Sequence, residues 1–198
     1  MGSRELKKAA TREALVDAAA RLFAERGVEG TTMDDIARAA GTSRTSVFNY
    51  FGYKEMLVCE IGARYVAEIA GTAQRAQGRQ RSPKRQLLDM VDTLANITER
   101  DPVIMSAVAR ELMHQDPERR RKAAETMRYR EIVDGTLEGL EAAGLLREPS
   151  RRDSYARLMV DMVAGVVIRA GGDFPMGSLR TELHRSVEVM LEGVLVSA

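Results

Sequence analysis

The sequence predicts an all-α fold of about nine helices. Apolar residues recur with helical periodicity along most of the 198 residues. No segment alternates apolar and polar residues over the length of a strand, and no Asn-Gly or Asp-Gly pair marks a hairpin turn. Residues typical of helix ends occur at intervals along the chain, so the helices can be delimited in order.

Helix starts and ends follow from capping residues and glycines. Ser or Asp directly precedes Pro at three helix starts: Ser82-Pro83, Asp101-Pro102 and Asp116-Pro117. Thr32 and Asp35 form a variant capping box, with Asp where Glu is usual. The glycines that suit helix C-termini are Gly27, Gly41 and Gly144. The predicted helices span residues 4–26, 33–40, 44–50, 54–77, 83–99, 102–113, 117–143, 152–170 and 178–196.

Composition narrows the class of protein. The formal net charge is +1, and no apolar run approaches the length of a membrane-spanning helix. The N-terminus lacks the apolar segment of an export signal. Cys59 is the single cysteine, so no disulfide framework is expected. These observations together predict a cytoplasmic protein.

The segment AGTSRTSVFNYF, residues 40–51, has the spacing of a helix-turn-helix. Gly41 ends one short helix and Ser43 caps the next, whose inner face carries Val47 and Phe51. The side chains left on the outer face can donate to phosphates or contact base edges; they are Arg44, Thr45, Ser46, Asn49 and Tyr50. From spacing alone, a helical corner without DNA binding is an equal alternative.

Two further residues are placed to hold the DNA backbone. Thr32 opens the second helix and Lys54 opens the fourth, where a helix N-terminus favours phosphate binding. The complete set of candidate DNA-binding residues is Thr32, Thr42, Ser43, Arg44, Thr45, Ser46, Asn49, Tyr50 and Lys54.

Residues 11–58 resemble the N-terminal domain of the tetracycline-repressor (TetR) family of transcriptional regulators. The matching residues are Ala18-Ala19, Leu22-Phe23, Gly27, Thr31-Thr32, Ile36-Ala37, Ala40-Gly41, Ser43, Phe48, Tyr50-Phe51 and Lys54-Glu55. The resemblance implies that the third helix contacts the operator and that Lys54 holds a phosphate. Departures from the family pattern bear on which operator is bound; they are Thr42, Thr45, Tyr50 and Tyr53.

The resemblance further implies a helix-turn-helix DNA-binding domain over residues 1–53 and a helical ligand-binding and dimerisation domain over residues 54–198. The function expected from it is a homodimeric repressor that a small, largely apolar effector releases from a palindromic operator in double-stranded DNA. The alternative is a helical ligand-binding or scaffold protein without specific DNA binding.

The last two predicted helices carry broad apolar stripes that suit a four-helix bundle with a second copy. The predicted dimer interface consists of Tyr155, Met159, Val163, Val166, Leu183, Val187, Met190, Leu191 and Val194. The alternative is that both stripes serve the core of one protomer. The predicted ligand-binding residues are Tyr65, Leu94, Ile97, Met105, Met113, Met127, Met159 and Met162, since flexible Met side chains suit an adaptable apolar pocket. Polar groups on these helices, Asp92, Glu111, Arg130 and Asp161, are expected to face water more often than a ligand.

No catalytic residues, metal site or cofactor are predicted. The chain lacks a Ser-His-Asp candidate, a P-loop and a Gly-rich dinucleotide turn. Glu111 and His114 have the spacing of a di-metal helix motif, but such sites need a second copy that His184 does not supply. We therefore expect a protein that is not an enzyme.

Overall fold

The computed structural model describes residues 2–78, 81–171 and 178–196. Within these ranges it contains ten α-helices, one short 3-10 turn at Pro149–Arg151, and no strand. The all-α prediction is confirmed. The helices are α1 Ser3–Arg26, α2 Met33–Ala39, α3 Arg44–Phe51, α4 Lys54–Gly78, α5 Pro83–Arg100, α6 Pro102–Leu112, α7 Pro117–Met127, α8 Tyr129–Ala142, α9 Arg152–Ala170 and α10 Leu179–Val194.

The prediction of a single helix over residues 117–143 is wrong, because the structure contains two helices there, α7 and α8. Arg128 has a left-handed backbone with φ of 55° and joins the two helices. Its N–H donates to the Ala124 carbonyl, which closes α7. The bend allows both Met127 and Tyr129 to pack into the interior. Neither Gly nor Pro stands at this position, so the sequence carries no signal for the break.

Helices α1 to α3 form a three-helix unit around a small apolar core. Leu15, Phe23, Ile36 and Val47 are inaccessible to solvent, and Phe51 is nearly so. The buried Thr31 hydroxyl donates to the Gly27 carbonyl at 2.8 Å, which fixes the loop that leads into α2. The inner face predicted for the third helix, Val47 and Phe51, therefore agrees with the structure.

Helix α4 belongs to both halves of the molecule. Its first turns, through Leu57 and Ile61, pack into the core of the three-helix unit together with Ile104 and Val108 of α6 and Met127 of α7. Apolar packing thus continues across residue 54. The predicted division into residues 1–53 and 54–198 stays a prediction.

The remaining helices build the C-terminal part of the core. Helix α10 packs against α9 and α5, and its Leu183, Val187 and Leu191 are buried there. A smaller cluster joins α6 to α9 through Met105 and Val167. Among the described helices, none combines the length and apolar character that crossing a membrane requires.

Candidate DNA-binding surface and effector cavity

The turn between α2 and α3 is fixed by backbone geometry and two caps. Gly41 takes φ of 65°, a conformation that suits glycine, and the Thr42 N–H donates to the Ala37 carbonyl at 2.9 Å. The Ser43 hydroxyl accepts from the Ser46 N–H at 3.2 Å and caps α3. At the start of α2, hydrogen bonds from the hydroxyl and N–H of Thr32 lower the pKa of Asp35. The two short helices therefore have a fixed mutual orientation.

The outer face of α3 is exposed, largely as predicted. Arg44, Thr45 and Asn49 are exposed, while Ser46 and Tyr50 are half-buried. Of the flanking candidates, Ser43 and Thr32 are exposed and Thr42 is half-buried. The role of all these residues in binding DNA remains a prediction.

Phe48 is a surface residue that the sequence interpretation missed. Its side chain is 40 % exposed on α3, and the Arg44 guanidinium carbon lies 5.4 Å from the ring centroid. An aromatic residue within a short helix is usually assigned to the core. The available signal was the spacing of four residues from Arg44, which places both side chains on one face.

Lys54 is engaged within the chain. Its Nζ donates to the Val28 carbonyl at 2.8 Å and lies 3.3 Å from Glu29 Oε2. The side chain is 21 % exposed. These contacts join the start of α4 to the loop between α1 and α2, which the sequence did not indicate.

An apolar cavity of about 160 Å³ lies among α4 to α9, with one residue of α10 in its wall. Of the predicted ligand-binding residues, the structure brings five together in the wall: Tyr65, Leu94, Met105, Met127 and Met159. Ile132 and Val133 of α8 also line it. The sequence interpretation missed both, because it assigned α7 and α8 to one straight helix.

Three predicted ligand-binding residues do not line this cavity. Ile97 is fully buried in the neighbouring cluster of α5, α6 and α9. Met113 follows the last turn of α6 and is 41 % exposed. Met162 packs, partly buried, against the cluster that joins α9 to α10. Helical periodicity placed these residues on apolar faces, but it could not distinguish the cavity from adjacent core and surface.

Tyr65 brings a polar group to the cavity wall. Its hydroxyl donates to Asp101 Oδ2 at 3.0 Å, and the Arg100 guanidinium lies 5.7 Å from the ring centroid. Burial and the hydrogen bond to Asp101 raise the pKa of Tyr65 well above its usual value. The phenol is therefore neutral at physiological pH and is held at the edge of the cavity by Asp101, which lies between α5 and α6.

The Glu111–Arg119 cluster connects α6 and α7 to the start of α4. Arg119 donates through Nε and Nη2 to the two oxygens of Glu111, at 2.7 and 2.6 Å. Arg119 Nη2 also lies 3.6 Å from Glu55 Oε1, and its guanidinium lies 5.9 Å from the centroid of Tyr53. The bond to Glu111 raises the pKa of Arg119, so this charge persists at any physiological pH.

Two polar residues expected to face water have other roles. Glu111 is buried, with 7 % exposure, inside the cluster just described. Asp92 accepts from Arg180 at 2.7 Å and lies 2.8 Å from His184 Nε2, which ties α10 to α5. Burial alone would raise the pKa of Asp92, but the hydrogen bonds from His184 and Arg180 hold it below its usual value. Both carboxylates thus act within the fold.

Most of the predicted dimer interface is buried inside one protomer. Leu183, Val187, Leu191 and Val194 pack with α5 and α8 residues in a single core. Met159, Val166 and Met190 are buried as well, and Tyr155 and Val163 are half-buried. These residues therefore contribute to the core of one protomer, as the alternative interpretation expects, and their part in a dimer interface stays a prediction.

The surface that α9 and α10 leave open has a different composition. We define the α9–α10 face as Leu158, Met162 and Gly165 of α9 with Val189 and Gly193 of α10. Leu158 is 52 % exposed and Val189 is 62 % exposed. Gly193 lies one turn after Val189 and is exposed, while Met162 and Gly165 are half-buried. On each of the two helices, an exposed large apolar side chain therefore lies on the same stripe as a glycine.

The described residues contain no group of three His, Cys, Asp or Glu side chains close enough to hold a metal ion. Cys59 is buried, and desolvation raises its pKa to about 12, so the thiol is unreactive in the folded protein.

Comparison with known families matches nearly the whole chain in two segments. Residues 15–61 match the family described as "Bacterial regulatory proteins, tetR family". Residues 63–193 match the "TetR/AcrR family transcriptional repressors, C-terminal domain". These two matches meet in the first third of α4.

Curated relatives match part of the chain. The transcriptional repressor KstR2 of Rhodococcus jostii is 44% identical over 64 residues, which cover 32% of this chain and 31% of that protein. The transcriptional regulator BetI of Agrobacterium fabrum is 38% identical over 80 residues, which cover 40% of this chain and 39% of that protein. The chain spans less than half the length of these curated relatives.

Solved structures resemble the whole fold. Thermus thermophilus FadR, a TetR family transcriptional repressor in complex with lauroyl-CoA, has a TM-score of 0.84 and 30% identity, covering 94% of this chain and 96% of that chain. FadR from Bacillus subtilis, in complex with stearoyl-CoA, has a TM-score of 0.69 and 18% identity, covering 91% of this chain and 98% of that chain; it supports the fold alone. The chain belongs to the TetR family of DNA-binding transcriptional regulators.

Proposed function

We propose that the protein is a homodimeric repressor whose operator binding is released by a fatty acyl-CoA. The observation that carries this proposal is the course of α4. Two residues separate this helix from the end of α3, and its later turns line the apolar cavity through Gly62, Tyr65 and Ile69. One rigid element therefore has the DNA-facing unit at one end and the effector cavity along its side.

The exposed face of α3 supports sequence-specific DNA binding. An arginine such as Arg44 can make a bidentate contact with guanine, and an asparagine such as Asn49 can make one with adenine. Thr45 can contact a thymine methyl group. Arg44 and Thr45 are exposed in the first turn of α3 and Asn49 is exposed farther along it, which matches the way recognition helices enter a major groove. Thr32 and Lys54 remain our candidates for phosphate contacts.

The cavity supports an effector with an apolar chain. Its walls are apolar apart from the phenols of Tyr65 and Tyr129. Its volume of about 160 Å³ is near that of a cavity which holds a benzene-sized molecule, about 150 Å³. A longer chain enters only if side chains move, and Met90, Met105, Met127 and Met159 line the wall with flexible thioethers. The complex of Thermus thermophilus FadR with lauroyl-CoA suggests the chemical class.

The Glu111–Arg119 cluster supplies a route from the cavity to DNA. Met105, Val108 and Leu112 of α6 line the cavity, and Glu111 lies on the same helix beside Leu112. Displacing α6 changes the position of Arg119, which contacts Glu55 and Tyr53 at the start of α4. A tilt of α4 changes the orientation of α3. Effector and operator then weaken each other's binding, with a coupling of about 1–3 kcal/mol.

A dimer is required to place two α3 helices in successive major grooves, about 34–36 Å apart. We propose that the α9–α10 face forms this interface, because its Leu158 and Val189 are large exposed apolar side chains.

The test combines selection of bound sequences from random DNA with effector titration of the purified protein. We expect a palindromic site and release of that site by medium- or long-chain acyl-CoA, with free CoA and the free fatty acid as controls. Binding no tighter than to random DNA would contradict the repressor proposal and favour a ligand-binding or scaffold protein. Specific binding that no acyl-CoA alters would contradict the effector class alone.

A further inference from the structure

Two neighbours hold the Arg44 side chain on the surface of α3. Arg44 Nη1 donates to Asp34 Oδ2 of α2 at 3.0 Å. The Phe48 ring, one turn along α3, lies beneath the guanidinium at 5.4 Å. The carboxylate fixes one edge of the planar group and the ring covers one of its faces. These contacts come from different directions and together define one side-chain conformation.

This arrangement leaves one edge of the guanidinium available. The structure gives Arg44 Nε and Nη2 no hydrogen-bond partner among the described residues. The side chain is 67% exposed, so this edge is accessible to a ligand. The spacing of donors on such an edge matches the O6 and N7 acceptors of guanine in the major groove.

The Asp34–Arg44 pair contributes little to folding stability. The two side chains are 67% and 47% exposed, and ion pairs of this kind are worth about 0–1 kcal/mol. A carboxylate next to a DNA-facing surface also repels phosphate, which opposes binding to any sequence. Asp34 Oδ1 is shielded from solvent without a hydrogen-bond partner among the described residues, and Oδ2 is the oxygen that accepts from Arg44.

We propose that Asp34 is a specificity-determining positioning residue: it orients Arg44 for guanine and keeps the guanidinium from binding phosphate indiscriminately. The inference rests on the proposed DNA-binding function. Phe48 assists by supporting the face of the guanidinium. Asp34 thus lowers affinity for DNA of any sequence and raises preference for the correct site.

The experiment compares variants by selection from random DNA and by affinity for the selected site and for random duplexes. Arg44→Ala identifies the base position at which guanine preference is lost. At that position Asp34→Ala should reduce guanine preference by about tenfold, within the range of one bidentate contact. Affinity for random DNA should rise by about twofold, because a negative charge near the phosphates is removed.

Matched variants separate positioning from structural damage. Asp34→Asn keeps an acceptor oxygen toward Arg44 and should retain more guanine preference than Asp34→Ala. In the Arg44→Ala background, Asp34→Ala should cause no further loss of preference. Glu25→Ala removes an exposed carboxylate of α1 and should leave guanine preference unchanged. Circular dichroism melting checks that each variant is folded.

The outcomes are distinct. If the wild-type protein selects no sequence, the proposed function fails and this inference falls with it. If the wild type selects a site but Arg44→Ala changes no base preference, or Asp34→Ala leaves the preference intact, only the inference is overturned. Equal losses on selected and random DNA for Asp34→Ala, or a loss that persists without Arg44, would assign Asp34 a structural role and also overturn it.

Discussion

At the scale of single residues, Lys54 shows how one side chain can serve the fold and a ligand. Its ammonium group has several N–H donors, and two contacts, to Val28 and Glu29, are made within the chain. The same group lies at the N-terminus of α4, where a phosphate is favoured by the helix dipole.

We predict that Lys54→Ala weakens binding to all DNA sequences and lowers the slope of log affinity against log salt by about one unit. The physical reason is the loss of one phosphate contact and its released counterion. Operator affinity measured over a range of salt concentrations checks this, with Lys8→Ala on α1 as a control that retains Lys54. An unchanged slope with a lower melting temperature would assign Lys54 to the loop contact alone.

Side-chain direction was predictable where a short helix has one buried face. The inner positions Val47 and Phe51 and the outer positions Arg44, Thr45 and Asn49 followed from spacing in a segment of eight residues. The exposure of Phe48 did not follow, because an aromatic residue in a short helix is expected in the core, whereas this ring lies beside the Arg44 guanidinium. Long-range partners such as Asp34 with Arg44, or Glu111 with Arg119, lie eight to ten residues apart across a turn, and helical periodicity carries no information about them.

At the scale of helices, boundaries were predictable where Pro, Gly or a capping residue marks them. Helices α5, α6 and α7 begin at the predicted Pro residues. The break at Arg128 was not predictable, because it depends on packing Met127 and Tyr129 into the same interior. Missing it also concealed the contribution of α8 to the cavity.

We predict that Arg128→Gly raises the thermal stability of the protein and that Arg128→Val lowers it. A left-handed backbone costs a residue other than glycine about 1 kcal/mol, and a β-branched residue more. Arg128→Gly also removes the ion pair between Arg128 and Glu131. This pair is exposed, so its loss offsets little of the gain in stability. Thermal unfolding of the three proteins tests this; stabilisation by valine would contradict it.

The second prediction at this scale concerns transmission through the Glu111–Arg119 cluster. Arg119→Lys keeps the charge but cannot reproduce the paired bonds to Glu111 together with the contact to Glu55. We expect operator affinity without effector to stay close to that of the wild type, and the reduction of affinity at saturating acyl-CoA to become smaller.

The measurement is operator affinity with and without effector, and Arg121→Lys is the matched control. Arg121 lies on the same helix and pairs with Glu118 and Glu125 of α7 itself. If acyl-CoA reduces the operator affinity of Arg119→Lys as much as it reduces that of the wild type, the cluster is excluded from the transmission route.

At the scale of the whole molecule, the apolar stripes of the last two helices had two interpretations in the sequence. Burial in a protomer core and burial against a second copy select the same residue types, so composition could not separate them. The structure assigns Leu183, Val187 and Leu191 to the core and leaves Leu158 and Val189 outside.

We predict that Val189→Glu yields a folded monomer that binds the operator at least about tenfold more weakly, because each α3 helix then binds without its partner. Sedimentation and operator affinity test this. Val103→Glu places the same charge on an apolar side chain of α6 that is 47 % exposed, outside the α9–α10 face, and should remain dimeric. A dimer that persists in Val189→Glu would require another interface.

The continuity of α4 limits how this protein can be recombined with its relatives. Residues Met56 to Ile61 complete the core beneath α3, and they pack against Ile104, Val108 and Met127 from farther along the chain. In a chimera joined at residue 53, a helix-turn-helix from a relative would pack against apolar side chains of α4 that do not match its own core. To exchange operator preference, a graft therefore has to include residues through Ile61, and the α6 and α7 side chains that pack against them have to be adapted. The alternative is to change only the exposed positions of α3.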